Sequence, residues 1–193
     1  VAKNYVFEGL NGPETLADLF QGRGQLIVYH FMFGANWEEG CKSCSFLADH
    51  FDGTQVHLAH RDVAFTAVSS APMPSLRAFQ RRMAWRFHWV SAFGNDFNRD
   101  YGVSFTKEEL AGEVHYNYSN MRFGLEEAPG LSVFYKDEAG EIYVVGQDGT
   151  VDRLGNLAPP PAPTFGITRA LVRKRASGAV LDYGSIRQFA AKH

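Results

Sequence analysis

Residues 25–33 read QLIVYHFMF, a nine-residue run in which only Gln25 and His30 are polar. The run is too short for a buried helix and is rich in β-branched and aromatic residues. Both features predict a strand covered on its two faces, as in a sheet sandwiched between helices. Gly34 ends it, and a loop, ANWEEG, leads into CKSCSFLADHF at residues 41–51. Phe46, Leu47 and Phe51, with His50, have the spacing of one helix face, which Gly53 closes. Helical pattern can resume through VHLAHRD.

A second strand is predicted at residues 62–69, DVAFTAVS, followed by a helix opening at Pro74 with Leu76, Phe79 and Met83 facing inward. Phe87, Trp89 and Val90 suggest a short strand, and NDFNRDY a short helix ending at Gly102. After a polar and aromatic connection over 103–128, Pro129-Gly130 precedes LSVFYKDEAGEIYVV, a hairpin turning at Asp137–Gly140. Upstream, Tyr5-Val6-Phe7 reads as a strand and Asn11-Gly12-Pro13 as a turn. There Pro13 opens, and Thr15 caps, a helix carrying Leu16, Leu19 and Phe20. The order predicts an α/β three-layer fold, a mixed central sheet with helices on both faces. This domain is expected over residues 1–145. Residues 146–193 change character, with LAPPPAP as an extended linker and ITRALVRKRAS and YGSIRQFAAKH as short helices. The basic tail is expected to pack less tightly than the domain.

At 193 residues the chain can bury a core without a metal or disulfide framework. Its 19 basic and 21 acidic residues leave a net charge of -2, which disfavours nucleic acid as a partner. No window reaches the ~20 apolar residues of a membrane helix, and no leader pattern opens the chain. A cytoplasmic protein is therefore expected. The 16 Phe and 8 Tyr exceed what a single copy is expected to bury, which suggests a homo-oligomer.

The only cysteines are Cys41 and Cys44. A bridge between them closes almost no loop, so the pair points to chemistry rather than stapling. At a helix N-terminus, unpaired N–H groups and the helix dipole favour a thiolate on Cys41, and Cys44 stands one turn along to resolve a mixed disulfide. Lys42 adds positive charge, while Glu38 and Glu39 oppose it. A zinc site formed by Cys41, Cys44, His57 and His60 is the alternative, although the His pair is spaced more tightly than usual. His30 is either a hydrogen-bonded core histidine or a buried proton acceptor near the thiols. Trp37 is an aromatic wall beside the cysteines or loop packing. No P-loop or GxGxxG is present, so no organic cofactor is expected.

The order strand–CxxC–helix, strand–helix, proline–hairpin resembles the thioredoxin-like superfamily. The segments AVSSAP and FHWVSAFGNDFNRDYGV resemble peroxiredoxins and bacterioferritin-comigratory proteins. Longer stretches, IVYHFMFGANWEEGCKSCSFLADHFDG, DVAFTAVSSAP, WVSAFGNDFNRDYGVSF and PGLSVFYKDEAG, resemble the family catalogued as domain of unknown function 899. That family is thioredoxin-like and is grouped with AhpC/TSA-type antioxidant proteins. The resemblance spans about residues 4–143. It implies a cis Ala128-Pro129 bond, with Pro129 shaping a substrate groove beside Cys41. It also implies dithiol/disulfide exchange with a protein or small-molecule disulfide. The rival is a non-catalytic thioredoxin-fold binding or scaffold module.

Three departures stand out. Trp37 is separated from Cys41 by Glu38-Glu39-Gly40, whereas thioredoxin has Trp directly before its CxxC. The peroxiredoxin PxxxT/SxxC motif is absent. The tail lacks the family's aromatic "TYHYLDL"-like ending, which is the pattern of a divergence, a fused segment or a frame change. Val1 in place of Met, with the family's helical segment before that position, suggests a truncated start.

Overall fold

The computed structural model describes residues 1–147. Of the C-terminal extension expected over residues 146–193, residues 148–193, with the linker and short helices, lie outside the described residues. Seven strands form one mixed sheet: β1 (Val6–Gly9), β2 (Gly12–Thr15), β3 (Gln25–His30), β4 (Val63–Ser69), β5 (His88–Ser91), β8 (Gly130–Lys136) and β9 (Ile142–Gln147). Their spatial order is β2-β1-β5-β4-β3-β8-β9. A separate two-stranded ribbon pairs β6 (Val114–Tyr116) with β7 (Ser119–Met121). The helices are α1 (Lys42–Asp52), α2 (Gln55–Ala59), α3 (Met73–Met83), α4 (Phe97–Asp100) and α5 (Lys107–Leu110).

The two continuous apolar runs became the centre of the sheet. Every residue of β3 and of β4 is buried, and the two strands run parallel with Leu26 opposite Ala64 and His30 opposite Val68. On its other edge β3 pairs antiparallel with β8, placing His30 opposite Gly130. Strand alternation sends successive side chains to opposite faces. Ile27, Tyr29, Phe31 and Phe33 join a core with α1, α3, Trp85 and Trp89. Leu26 and Val28 join a second core with Leu19, Phe20, Phe97 and Tyr101. The three layers expected from the sequence are therefore present.

This two-sided packing absorbs the aromatics. Among the described aromatic residues only Phe46, Phe93 and Tyr143 stand largely exposed. Among the described residues, both faces of a wide sheet are available to stack rings, and Phe31 alone lies edge-on to Tyr29, Trp85 and Trp89.

Three local expectations are corrected. Residues 12–15 form a strand rather than opening a helix. Gly12, at φ +126°, turns the chain, and Pro13 is tolerated because β2 is an edge strand. Only a single 3-10 turn follows at Asp18–Phe20. Phe46 and Leu47 face solvent, because α1 buries Cys44, Ser45 and Ala48 instead, and Phe51 packs on that side. Finally, the Ala128-Pro129 bond is trans, since the described residues contain no cis peptide. Trans is the cheaper isomer of an X–Pro bond by about 0.5–1 kcal/mol. Here the approach to β8 is already held extended by Ala128 N–H donating to Val103 O at 2.8 Å and by the bridge between Ser104 and Glu127.

Candidate functional site

The strand-to-helix loop after β3 is tied down at Cys41, whose N–H donates to Met32 O at 2.9 Å. Cys41 is the N-cap of α1, and its Sγ accepts a hydrogen bond from Cys44 N–H at 3.5 Å. The cysteine thus takes the place usually held by Ser or Asp at a helix start. Ser45 reinforces the cap: its N–H and its hydroxyl each donate to Cys41 O at 2.9 Å. Both cysteines are free thiols, Cys41 half-buried and Cys44 buried at 2 % exposure. Burial pushes the Cys44 thiol up to about 11. Tyr29 closes the inner side, donating its hydroxyl to Cys44 O at 3.2 Å.

The approach loop is packed without spare room. A Cβ on Gly40 would lie 2.6 Å from a ring carbon of Phe31 and 3.2 Å from one of Phe79. Both rings are buried, so neither can swing away cheaply. Gly40→Ala is therefore expected to destabilise the protein by about 1–3 kcal/mol through overpacking. Urea unfolding checks this, and an unchanged midpoint would show that the loop yields. Trp37 is half-buried and packs on the same core. Its indole nitrogen sits where a Cβ on Gly34 would come within 2.7 Å, and its backbone N–H donates to Gly34 O at 3.1 Å. It is therefore folded back over its own loop. Glu39 does not face the thiols alone: Arg82 donates to it at 2.8 Å and holds its carboxyl below the usual range.

Two aspartates on α1 fix the helix against the chain that enters β5. Asp49 accepts from the Trp85 indole at 2.7 Å. Asp52 accepts from the backbone N–H groups of Arg86 and Phe87 at 2.6 and 3.1 Å. Those bonds hold the cysteine-bearing helix in register with the sheet.

The structure separates other expected members of the site. His30 points to the opposite face of the sheet from Tyr29 and the thiols. It stacks on Phe97 and Tyr101, with ring nitrogens bonded to Asn98 Oδ1 at 3.0 Å and Ser132 Oγ at 2.8 Å. The reading of His30 as a proton acceptor for the cysteines is corrected: strand alternation places it across the sheet, and burial lowers it to about 4. The alternative zinc set is corrected too. Cys41 and Cys44 stand at the start of α1, while His57 and His60 lie beyond its far end and are exposed. An eleven-residue helix spans about 16 Å, and no cluster of three or more metal-binding side chains occurs among the described residues. Pro129 stands one residue before Gly130, the partner of His30, and its carbonyl accepts from the Tyr116 hydroxyl. Asn98 and Ser132, the partners of His30, were not legible from sequence. Only their long-range meeting with one buried imidazole marks them.

A hypothetical protein of Sinorhizobium meliloti 1021 shares the fold, at 14% identity and TM-score 0.51, covering 93% of this chain and 87% of its own. The peroxidoxin BcpB of Mycobacterium tuberculosis is similar at 14% identity and TM-score 0.50, covering 75% and 80%. A Xanthomonas campestris bacterioferritin comigratory protein matches at 14% identity and TM-score 0.47, covering 78% and 83%. The layered mixed sheet, with the likenesses to the Sinorhizobium meliloti protein and to BcpB, gives the thioredoxin-like fold. A search of curated proteins gives no match. The family of bacterial proteins of unknown function called DUF899 matches residues 1–147, the whole described domain with its cysteine-capped helix. The chain belongs to that family.

Proposed function

We propose that the protein carries out thiol–disulfide exchange at Cys41 and Cys44. The observation that carries this reading is the cap: a half-buried cysteine at the N-terminus of α1 whose sulfur accepts from Cys44 N–H, with the Cys44 thiol one turn inward. The Cys41 thiolate attacks one sulfur of a substrate disulfide, forming a mixed disulfide and releasing the first substrate thiolate. The Cys44 thiolate then attacks Cys41 Sγ, forming the Cys41–Cys44 disulfide and releasing the second. The substrate gains two electrons and the dithiol loses them. The naming of BcpB as a peroxidoxin is in keeping with thiol redox chemistry on this fold. The loop ANWEEG, which has no Pro, Thr or Ser, favours a disulfide over a peroxide as substrate.

Burial of Cys44 makes resolution the slow step at neutral pH. Its thiol is raised to about 11, so the reactive thiolate fraction grows by about tenfold per pH unit below that value. In a defined glutathione buffer, Cys41 is expected to be trapped first. Cys44→Ser should accumulate the mixed disulfide, and Cys41→Ser should abolish exchange. Equal trapping of both thiols, or exchange surviving Cys41→Ser, would remove the reading and favour a binding module.

A further inference from the structure

A cavity of about 230 Å³ opens where the chain leaves β4 and β5. Ser70 follows β4, Phe93 follows β5, and Asn98 and Arg99 come from α4. Ser104 and Glu127 close the other side. In open α/β sheets, ligands bind in a crevice of this kind, outside the carboxyl ends of parallel strands.

Its wall is organised around one carboxyl. Glu127 is only 8 % exposed and accepts from the Ser104 hydroxyl at 2.8 Å, and it is hydrogen-bonded to Ser70 as well. Asn98 donates to Ser70 Oγ at 3.0 Å and carries the chain inward to His30 and Ser132. The carboxyl is therefore held by hydroxyl groups, with no cation among the described residues bonded to it. Arg99 lines the same cavity, but Glu109 holds it through both terminal nitrogens, at 3.2 and 3.1 Å. Asp96 and Asp100 add negative charge around it. Glu126, next to Glu127, does the same for the pocket acid and meets Lys107 only at 4.0 Å. At the mouth, Phe93 is 57 % exposed and offers an apolar face.

We infer that this cavity is a binding site for a small primary amine with a short apolar tail. The ammonium would be received by Glu127 and the tail by Phe93 and Ala92. A buried carboxylate fixed by hydroxyl donors is completed by an incoming cation. An anionic ligand would meet the like charge of Glu127 and Glu126, and the nearby Arg99 is already neutralised by Glu109. The site uses neither cysteine, and it meets the loop that leads to Cys41 only at Ala35. Burial raises the Glu127 carboxyl to about 7, so the cation-accepting form fills as pH rises through neutrality.

The test is a titration of the full chain with n-butylamine hydrochloride, followed by amide chemical shifts, with sodium butyrate as the anionic counterpart. Saturable shifts at Ser70, Asn98 and Ser104 are expected with butylamine and not with butyrate. Glu127→Gln should weaken binding by about ten- to a hundredfold, the loss of one charge-assisted hydrogen bond. In the unaltered protein, which needs no variant to fold, affinity should rise by about tenfold from pH 6 to pH 8. Butyrate binding as tightly as butylamine, an unchanged affinity in Glu127→Gln, a pH-independent affinity, or no saturable shift would each overturn the assignment.

Discussion

Phe31→Ala is expected to lower the unfolding free energy by about 3–5 kcal/mol, the cost of emptying a fully buried aromatic site. For a chain of this size each kcal/mol shifts Tm by roughly 2–4 °C, so a fall on the order of 10 °C should be seen. Phe31 is 1 % exposed and meets Tyr29, Phe79, Trp85 and Trp89 at ring-centroid separations of 4.8–6.2 Å. Its backbone is tied to β4, its N–H donating to Val68 O and its carbonyl accepting from the Ser69 hydroxyl. The strand will therefore not collapse into the hole. The ring also forms the floor against which Gly40 rests. Removing it should loosen the segment before Cys41, and alkylation of Cys44 should become faster at equal temperature. Denaturant unfolding and mass-mapped alkylation read the two effects. A loss below about 1 kcal/mol would mean that the aromatic layer repacks.

The second large effect concerns pH. His30 is lowered by burial from 6.5 to about 4, and Glu127 is raised by burial from 4.5 to about 7. For His30 the unfolded chain takes up the proton first. Its contribution is thus fully present above pH 6.5 and is lost as pH falls toward 4. For Glu127 the folded protein keeps the proton longer. Its contribution is present below pH 4.5 and is lost as pH rises through 7. Each shift corresponds to about 3 kcal/mol, and the two oppose each other between pH 4.5 and 6.5. Glu127→Gln removes one of them. The stability difference between that variant and the unaltered protein should change by about 3 kcal/mol between pH 4.5 and 7, in favour of the variant at higher pH. In the variant the acid loss from His30 then runs unopposed. Urea unfolding at four pH values checks this, and parallel stability–pH curves for the two proteins would sink it.

The strands β3 and β4 were legible because burial on both faces demands apolar residues at every position, a pattern visible within seven to nine residues. The cysteine cap was legible for a similar reason: a strand end, a glycine and a CxxC before a helical pattern are all local. What failed was what depends on partners distant in sequence. The phase of α1 is set by Cys44, Ser45 and Ala48 meeting the sheet, so the larger Phe46 and Leu47 were left outside. His30 carries no local sign of which face it takes; that follows from the register of β3 between β4 and β8. Ala128-Pro129 is trans because its neighbours are bonded to Val103 and Ser104, some 25 residues earlier.

The sequence by itself determined the layered α/β class, the central strands and the cysteine-capped helix, because these rest on short-range hydrophobic pattern and helix-end chemistry. Only the tertiary structure decided that Cys44 is sealed under Tyr29 and that His30 belongs to the far side of the sheet. It alone gathered Ser70, Asn98, Ser104 and Glu127 around one cavity. Each of those outcomes requires a buried polar group to find its hydrogen-bond partner across a large stretch of chain. No local pattern encodes that pairing, whereas the cost of leaving such a group unpaired in the folded core enforces it.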